Sequence, residues 1–327
     1  MTFLRSQDVY SATPARGWIP WGALAPFLLL VFVIATALLG DGLIAKFVNM
    51  SPEGDPLDPT ALVAFTLVPF SFLLVVLLAW VRFVERRTIE SIGIRGEHML
   101  RDFLRGHAFG LAGISGIVLI MWISGGLQLV AVAPVFSQPK FLVPIVLLLF
   151  TFALQASVEE IVFRGWLLSV LAKKFNLPIA VVVSSALFSL LHFGPRQHWL
   201  VTIGTFLFAL FTCAWVLRTR SVLGIMGWHA GWNWLLAVGF GLPVTGLDVG
   251  IPALLVDMQP VGPFWLTGGP QGPEASVVCL GYFILSIAAM RLQPGRLAGG
   301  DHRRGQLPDR ACLATARNSR CRYTPCR

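Results

Sequence analysis

Charged residues are scarce in this sequence, and only 16 of its 327 residues are Asp or Glu. Charged residues make up 13% of the chain and hydrophobic residues 56%, with a mean hydropathy of +0.74. This composition excludes a soluble globular domain of the same length and indicates a polytopic membrane protein. The formal net charge of +9 says little by itself, because the positions of Lys and Arg matter more in a membrane protein.

Several familiar motifs are also missing. The five cysteines have neither the paired spacing of a zinc site nor the pattern of a secreted disulfide scaffold. The sequence lacks the His-Glu-x-x-His signature of soluble zinc proteases, a Gly-x-Ser-x-Gly nucleophile elbow and a phosphate-binding glycine loop. No internal repeat and no soluble second domain is evident. Polar residues inside apolar runs are therefore the candidates for function.

Long apolar runs are abundant, and they predict an all-α fold: a polytopic transmembrane helical bundle of about eight spanning helices. The fifth run is short for a span and must be shielded by its neighbours. The runs are approximately Trp21 to Leu39, Ala61 to Val81, Ala108 to Val130, Phe141 to Val158, Pro178 to Phe193, Trp199 to Leu217, Val222 to Phe240 and Ala275 to Met290.

Lys and Arg concentrate in alternate connections, after the second, fourth and sixth runs and in the tail after Met290. Because these residues collect on the cytoplasmic side, we predict a multi-pass protein of the cell membrane with both termini cytoplasmic. Residues 1–291 would form one membrane-embedded domain and residues 292–327 a disordered basic cytoplasmic tail. The connection from Gly241 to Glu274 is predicted to be a plain outward-facing loop.

Two adjacent carboxylates and an arginine interrupt the fourth apolar run. On a helix, Glu160 and Arg164 lie one turn apart and can pair, whereas Glu159 points about 100° away from Glu160. A charge at bilayer depth costs a few kcal/mol or more unless it is paired or faces a cavity. We therefore predict that Arg164 neutralises one carboxylate and leaves the other free. The alternative interpretation is a buried ion pair that only fixes the helix register.

Two other apolar runs each carry residues at one-turn spacing on a shared face, Phe188 with His192 and His229 with Asn233. Polar groups are costly in lipid, so an arrangement that brings them into one cavity among the fourth, fifth and seventh helices is favoured. The plain alternatives are a hydrogen-bonded packing role for His192 and a bond between helices for Asn233.

Such a cavity suits two kinds of chemistry. A carboxylate and an imidazole can deprotonate and orient a water, while an imidazole and a carboxamide donate hydrogen bonds to the oxyanion of a tetrahedral intermediate. Alternatively, Glu159, His192 and His229 form a carboxylate and two-imidazole ligand set for Zn²⁺ or another divalent metal. The residues alone leave both mechanisms open, and no cofactor is certain.

Three motifs, in this order on successive apolar runs, carry a resemblance to a known family: Glu159-Glu160-x-x-x-Arg164, Phe188-x-x-x-His192 and His229-x-x-x-Asn233. They resemble the motifs of the CPBP family of CAAX proteases and bacteriocin-processing enzymes, also called Abi proteins, which includes the type II CAAX prenyl endopeptidases. The resemblance covers about residues 141–241. It implies an intramembrane endopeptidase of a family whose members are labelled metalloendopeptidases.

The resemblance also implies catalytic roles. Glu159 would activate a water that His192 holds beside it, and His229 with Asn233 would form the oxyanion site. The metalloprotease label and a metal-independent glutamate mechanism fit the same residues, and we favour the glutamate mechanism.

The supporting residues implied by the resemblance are Glu160, Arg164 and Phe188, of which the ion pair would shape the cavity. The expected partners are membrane lipids and a peptide or membrane-protein substrate, with no nucleic acid. The resemblance does not identify the substrate, because prenylated C-terminal peptides belong to the eukaryotic members. The chain's own C-terminus, Thr324-Pro325-Cys326-Arg327, is not a CAAX box.

Two other classes of function use the same features. A proton- or cation-coupled membrane transporter would employ the carboxylates and histidines as a relay, although the sequence has neither inverted repeats nor evident broken helices. A non-catalytic membrane scaffold or immunity protein would keep the fold without the chemistry.

Overall fold

Ten α-helices and two short strands are found in the part of the chain that the computed structural model describes, residues 9–10, 15–51, 56–193, 197–248 and 250–292. Beyond Leu292, the predicted disordered tail lies outside the described residues. The elements are α1 (Leu24–Ile44), α2 (Pro59–Ala79), α3 (Met99–Ile123), β1 (Leu127–Val132), α4 (Leu142–Glu160), α5 (Leu168–Lys174), α6 (Leu177–Leu191), α7 (Trp199–Thr219), α8 (Leu223–Trp234), β2 (Val256–Pro260), α9 (Phe264–Thr267) and α10 (Val277–Leu292).

Each of the eight predicted apolar runs contains a helix. Among the described residues, five helical segments are long and apolar enough to cross a membrane: Leu24–Ile44, Pro59–Val84, Met99–Ile123, Pro139–Lys174 and Trp199–Thr219. The other three runs form the shorter helices α6, α8 and α10. Helix α8 is buried along most of its length, so longer neighbours enclose it and it need not match the bilayer thickness. The prediction of a helical membrane bundle is confirmed.

The outer surface of the bundle is apolar, and charged groups lie inside it. Large apolar side chains are exposed along the helices, among them Phe27, Leu38, Val75, Phe150 and Leu285. Six acidic, basic or imidazole side chains of the described residues are buried in the interior: Glu85, Arg87, Glu159, Glu160, Arg164 and His229. Lipid tolerates exposed apolar groups, whereas polar groups must find partners within the protein or line a cavity. The chain is therefore a multi-pass membrane protein.

Glycines bring the backbones of α3 and α8 into direct contact. A Cβ atom at Gly106 would lie 1.8 Å from the carbonyl oxygen of Gly224, and one at Gly227 would lie 1.9 Å from that of Phe103. Small residues allow this approach between membrane helices. The close partner of Gly227 on α8 is thus α3. The contact fixes the helix that carries the third motif.

The connection from Gly241 to Glu274 is not the plain loop that its Gly and Pro content predicts. Its strand β2 pairs antiparallel with β1, so that Gln128 lies opposite Gln259. The helix of the third apolar run also ends earlier than predicted, at Ile123, and the last residues of that run belong to β1. Pairing satisfies backbone groups that have left the helix. This small sheet leaves the helical fold class unchanged.

A second buried ion pair follows α2. Arg87 Nη1 lies 3.0 Å from Glu85 Oε2, and Arg87 Nη2 donates to Ser169 Oγ at 2.8 Å. Glu85 Oε1 accepts hydrogen bonds from the indoles of Trp80 at 3.0 Å and Trp166 at 2.7 Å. Partners at both ends offset the cost of burying the two charges. The network ties the segment after α2 to the segment that follows α4.

The glycine contact predicts a difference between two glycines on α3. A Cβ atom at Gly110 would lie 2.1 Å from the carbonyl oxygen of Trp228, whereas one at Gly116 meets nothing within 4 Å. We expect Gly110→Ala to lower the free energy of unfolding by about 1–3 kcal/mol, because a backbone atom must move. Gly116→Ala should be neutral or stabilising by up to about 1 kcal/mol, because Ala favours helix. Thermal unfolding in detergent measures both, and equal midpoints would contradict the packing.

Candidate active site

The first motif lies where α4 changes its hydrogen-bond pattern. Helix α4 ends at Glu160, and Ile161–Leu167 continues it as a π-helical segment. Such segments are rare and are often found at functional sites. Arg164 Nε lies 3.4 Å from Glu160 Oε2, and both side chains are fully buried. The structure thus brings together the pair that the one-turn spacing predicts.

Aromatic rings surround the Arg164 guanidinium. Its carbon lies 4.2 Å from the centroid of the Phe188 ring, 5.2 Å from that of Phe208 and 5.9 Å from that of Phe163. The electron-rich faces of these rings attract a cation, most strongly where water is excluded. Phe188 therefore packs directly on Arg164, and its supporting role stays a prediction.

His229 bridges the two carboxylates of α4. Its Nδ1 lies 3.0 Å from Glu160 Oε1, and its Nε2 lies 3.8 Å from Glu159 Oε2. Glu160 is thus engaged on one oxygen by His229 and faces Arg164 with the other. The carboxylate that remains for chemistry is Glu159.

Gln155 joins Glu159 to the third motif, and it is not among the predicted site residues. Gln155 Nε2 donates to Glu159 Oε1 at 2.6 Å, and Asn233 Nδ2 donates to Gln155 Oε1 at 3.5 Å. Within the described residues, Glu159 Oε2 is buried and has no hydrogen-bond partner. The signal for Gln155 was its position one turn before Glu159 on the same helix face.

His192 lies at the end of α6 rather than inside it, as the C-cap residue. Its Nδ1 is 2.8 Å from the Phe188 carbonyl oxygen, and the two rings are 4.3 Å apart between centroids. A carbonyl oxygen only accepts hydrogen bonds, so Nδ1 carries a proton and Nε2 of the neutral ring is an acceptor.

These side chains meet at one cavity of about 520 Å³. Glu159, His192, His229 and Asn233 all line it, and Gln155 lines it beside them. Aromatic residues form much of the remaining wall, and the described residues of the lining include no Lys or Arg. The four residues predicted to be catalytic therefore share a single cavity among α4, α6 and α8, while the ion pair stays behind its wall.

The proposed metal ligands do not fit a metal ion in this structure. In the described part of the chain, no group of three His, Cys, Asp or Glu side chains is arranged to hold one. Glu159 and His229 approach each other, but among the described residues His192, whose Nε2 is left available by the bond from Nδ1 to a backbone carbonyl, does not form a three-ligand group with them. Three ligands are the usual minimum for catalytic zinc. We derive no step through a metal.

The connection predicted to be a plain loop forms a further wall of the cavity. Thr245 and Glu274 both line the cavity. Glu274 Oε2 accepts from the Thr245 amide at 2.6 Å and from its hydroxyl at 2.8 Å, and Glu274 Oε1 accepts from the Trp232 indole at 3.0 Å. No local spacing reveals these contacts, because the partners lie on separate elements.

Fold and site together define a multi-pass helical membrane protein with a glutamate and histidine centre buried among its helices. Residues 141–235 match the family model described as type II CAAX prenyl endopeptidase Rce1-like. The matched segment contains all three motifs, and the resemblance to the CPBP family is confirmed. No curated protein and no solved structure matches the chain. At the family level, the match supports a CAAX-type intramembrane protease.

The buried ion pair predicts a double-mutant result. Glu160→Gln leaves the Arg164 guanidinium buried without its carboxylate, and we expect the free energy of unfolding to fall by about 3–5 kcal/mol. Adding Arg164→Met removes the stranded charge and should recover much of that loss. Unfolding in detergent measures the cycle. Purely additive losses would show that the two side chains do not interact.

Proposed function

We propose that the protein is an intramembrane endopeptidase that hydrolyses a peptide bond with a water activated by Glu159. The observation that carries the proposal is the environment of the Glu159 carboxylate. Glu159 is only 8% exposed, and its Oε2 has no hydrogen-bond partner among the described residues, yet it lines the cavity. A carboxylate placed in this way can accept the proton of a water as the water attacks a carbonyl carbon.

His192 is assigned to the orientation of that water. With a proton on Nδ1, its Nε2 can accept a hydrogen bond from the water, while Glu159 accepts the other. One hydrogen of the water passes to Glu159 as the carbon–oxygen bond forms. Glu159 then delivers this proton to the nitrogen of the leaving amine as the peptide bond breaks, so that the carboxylate is regenerated.

His229 and Asn233 are assigned to the oxyanion. A protonated imidazole donates from both nitrogens, so His229 Nε2 can donate to the oxyanion while Nδ1 stays bonded to Glu160. The amide of Asn233 is at the outer limit of hydrogen-bond distance from Gln155 at 3.5 Å, so it can turn to the oxyanion at little cost.

We further propose that the substrate is a peptide or a segment of a membrane protein, with lipid around the bundle. The cavity walls combine aromatic rings with carboxylate, imidazole and amide groups, which suits a peptide backbone with apolar side chains. The distribution of Lys and Arg supports a location in the cell membrane with both termini cytoplasmic.

Glu159→Gln tests the proposal directly. The amide keeps the shape of the side chain but is no base, so we expect the rate of peptide cleavage to fall by a factor of about 10²–10⁴. The measurement uses the purified protein and a tethered peptide library, with and without a chelator. The control is Glu97→Gln, because Glu97 is exposed and lies outside the cavity lining. Full activity of Glu159→Gln would end the proposal.

Asn233→Ala tests the oxyanion site. Loss of one donor to an oxyanion costs a factor of about 10²–10³ in kcat, with KM little changed. Asn49→Ala is a control, because Asn49 is exposed, lies outside the cavity lining and, among the described residues, donates its amide to Asp58. A raised KM with unchanged kcat would place Asn233 in substrate binding instead.

A further inference from the structure

A tight turn with an unusual residue forms part of the cavity wall. Val244 and Leu247 exchange two backbone hydrogen bonds, of 3.0 and 2.8 Å, around the two residues Thr245 and Gly246. Thr245 has φ +49° and Gly246 has φ +85°. Positive φ at both central residues is the pattern of a type I′ turn, which favours Asn-Gly. Thr is a poor choice at the first position, because a β-branched side chain rarely adopts positive φ.

Hydrogen bonds to Glu274 hold Thr245 in this unfavourable conformation. Its Oε2 accepts both the amide and the hydroxyl of Thr245, and its Oε1 accepts the indole of Trp232 on α8. The salt bridges of the described residues do not include Glu274. Its carboxylate therefore serves these neutral donors. Residues held in strained backbone regions persist only where their surroundings hold them there.

The simpler role for Glu274, at the start of α10, does not fit its contacts. The side chain that accepts a hydrogen bond from the first turn of α10 is Ser276, whose Oγ accepts from the Cys279 amide at 3.1 Å. Glu274 instead points to the turn and to α8, and it lines the same cavity as Glu159. Its hydrogen bonds thus join the wall of the cavity to the helix that carries the third motif.

We propose that Glu274 is a positioning residue, which holds the strained turn Val244–Leu247 as the wall against which the substrate binds. This inference rests on the proposed peptidase function. It assigns Glu274 no part in proton transfer, because its oxygens are occupied by the turn and by α8. The expected effect of its loss is on substrate binding, while the residues on α4 and α6 keep their geometry.

Glu274→Gln is the first test. One end of the amide is a donor and must face either the indole or the backbone amide, so a hydrogen bond to a charged group is lost whichever way the side chain turns. We expect KM for the tethered peptide to rise about tenfold, with kcat within about twofold of the wild type. An unchanged KM, or a loss confined to kcat, would overturn the inference.

The decisive test adds Thr245→Asn to Glu274→Gln. Asn-Gly adopts the type I′ turn by itself, so the double variant should recover most of the lost affinity without Glu274. A proton-transfer role for Glu274 would not be rescued by a change in turn propensity. Failure of the rescue in a double variant that folds and inserts as the wild type does would therefore contradict the positioning role.

Amide hydrogen exchange across residues 244–247 separates this inference from the proposed function. We expect faster exchange in Glu274→Gln and a return towards the wild-type rate in the double variant, whether or not a peptide is cleaved. If the wild type cleaves no peptide but this exchange pattern is seen, the peptidase function is rejected and the positioning role of Glu274 is supported. Unchanged exchange in Glu274→Gln would reject the positioning role of Glu274 even if peptide cleavage is normal.

Discussion

The site depends on one buried cluster, in which Glu160 pairs with Arg164 and accepts from His229. Charges at this depth are retained only with partners, and this cluster draws its partners from different helices. Glu160 and Arg164 belong to α4 and its π-helical extension, His229 to α8, and the Phe188 ring on Arg164 to α6. Glu160 contacts both Arg164 and His229, whereas Oε2 of its neighbour Glu159 has no hydrogen-bond partner among the described residues and lies at the cavity. One motif therefore supplies both a structural and a chemical carboxylate.

Two supports outside the site hold this cluster in place. The glycines of α3 and α8 let the backbones touch, which fixes the position of the helix that carries His229. The pair Glu85 and Arg87 bonds Trp166 and Ser169, on the two segments that follow α4. The polar groups of both supports have their hydrogen-bond partners elsewhere in the protein. Neither support therefore takes a polar partner from the site.

Local spacing predicted much of this structure, and contacts between distant segments account for the rest. The apolar runs predicted the helices, and the interval between Glu160 and Arg164 predicted their pairing, since both depend on helical periodicity. The strand pairing, the Glu274 bonds and the place of His192 at a helix end depend on where separate elements meet. The possible metal ligand set is not assembled among the described residues for a related reason: residues that share a cavity need not direct their donor atoms to one point.

Glu159 is assigned the chemical role and Glu160 the structural one, and carboxyl labelling tests this assignment most directly. The folded wild-type protein in detergent is treated with a small carbodiimide and an amine, and modified residues are mapped by mass spectrometry. We predict that Glu159, which lines the cavity, is modified while Glu160, which is fully buried behind the wall, is protected. Preferential modification of Glu160, or equal modification of both carboxylates, would contradict the account.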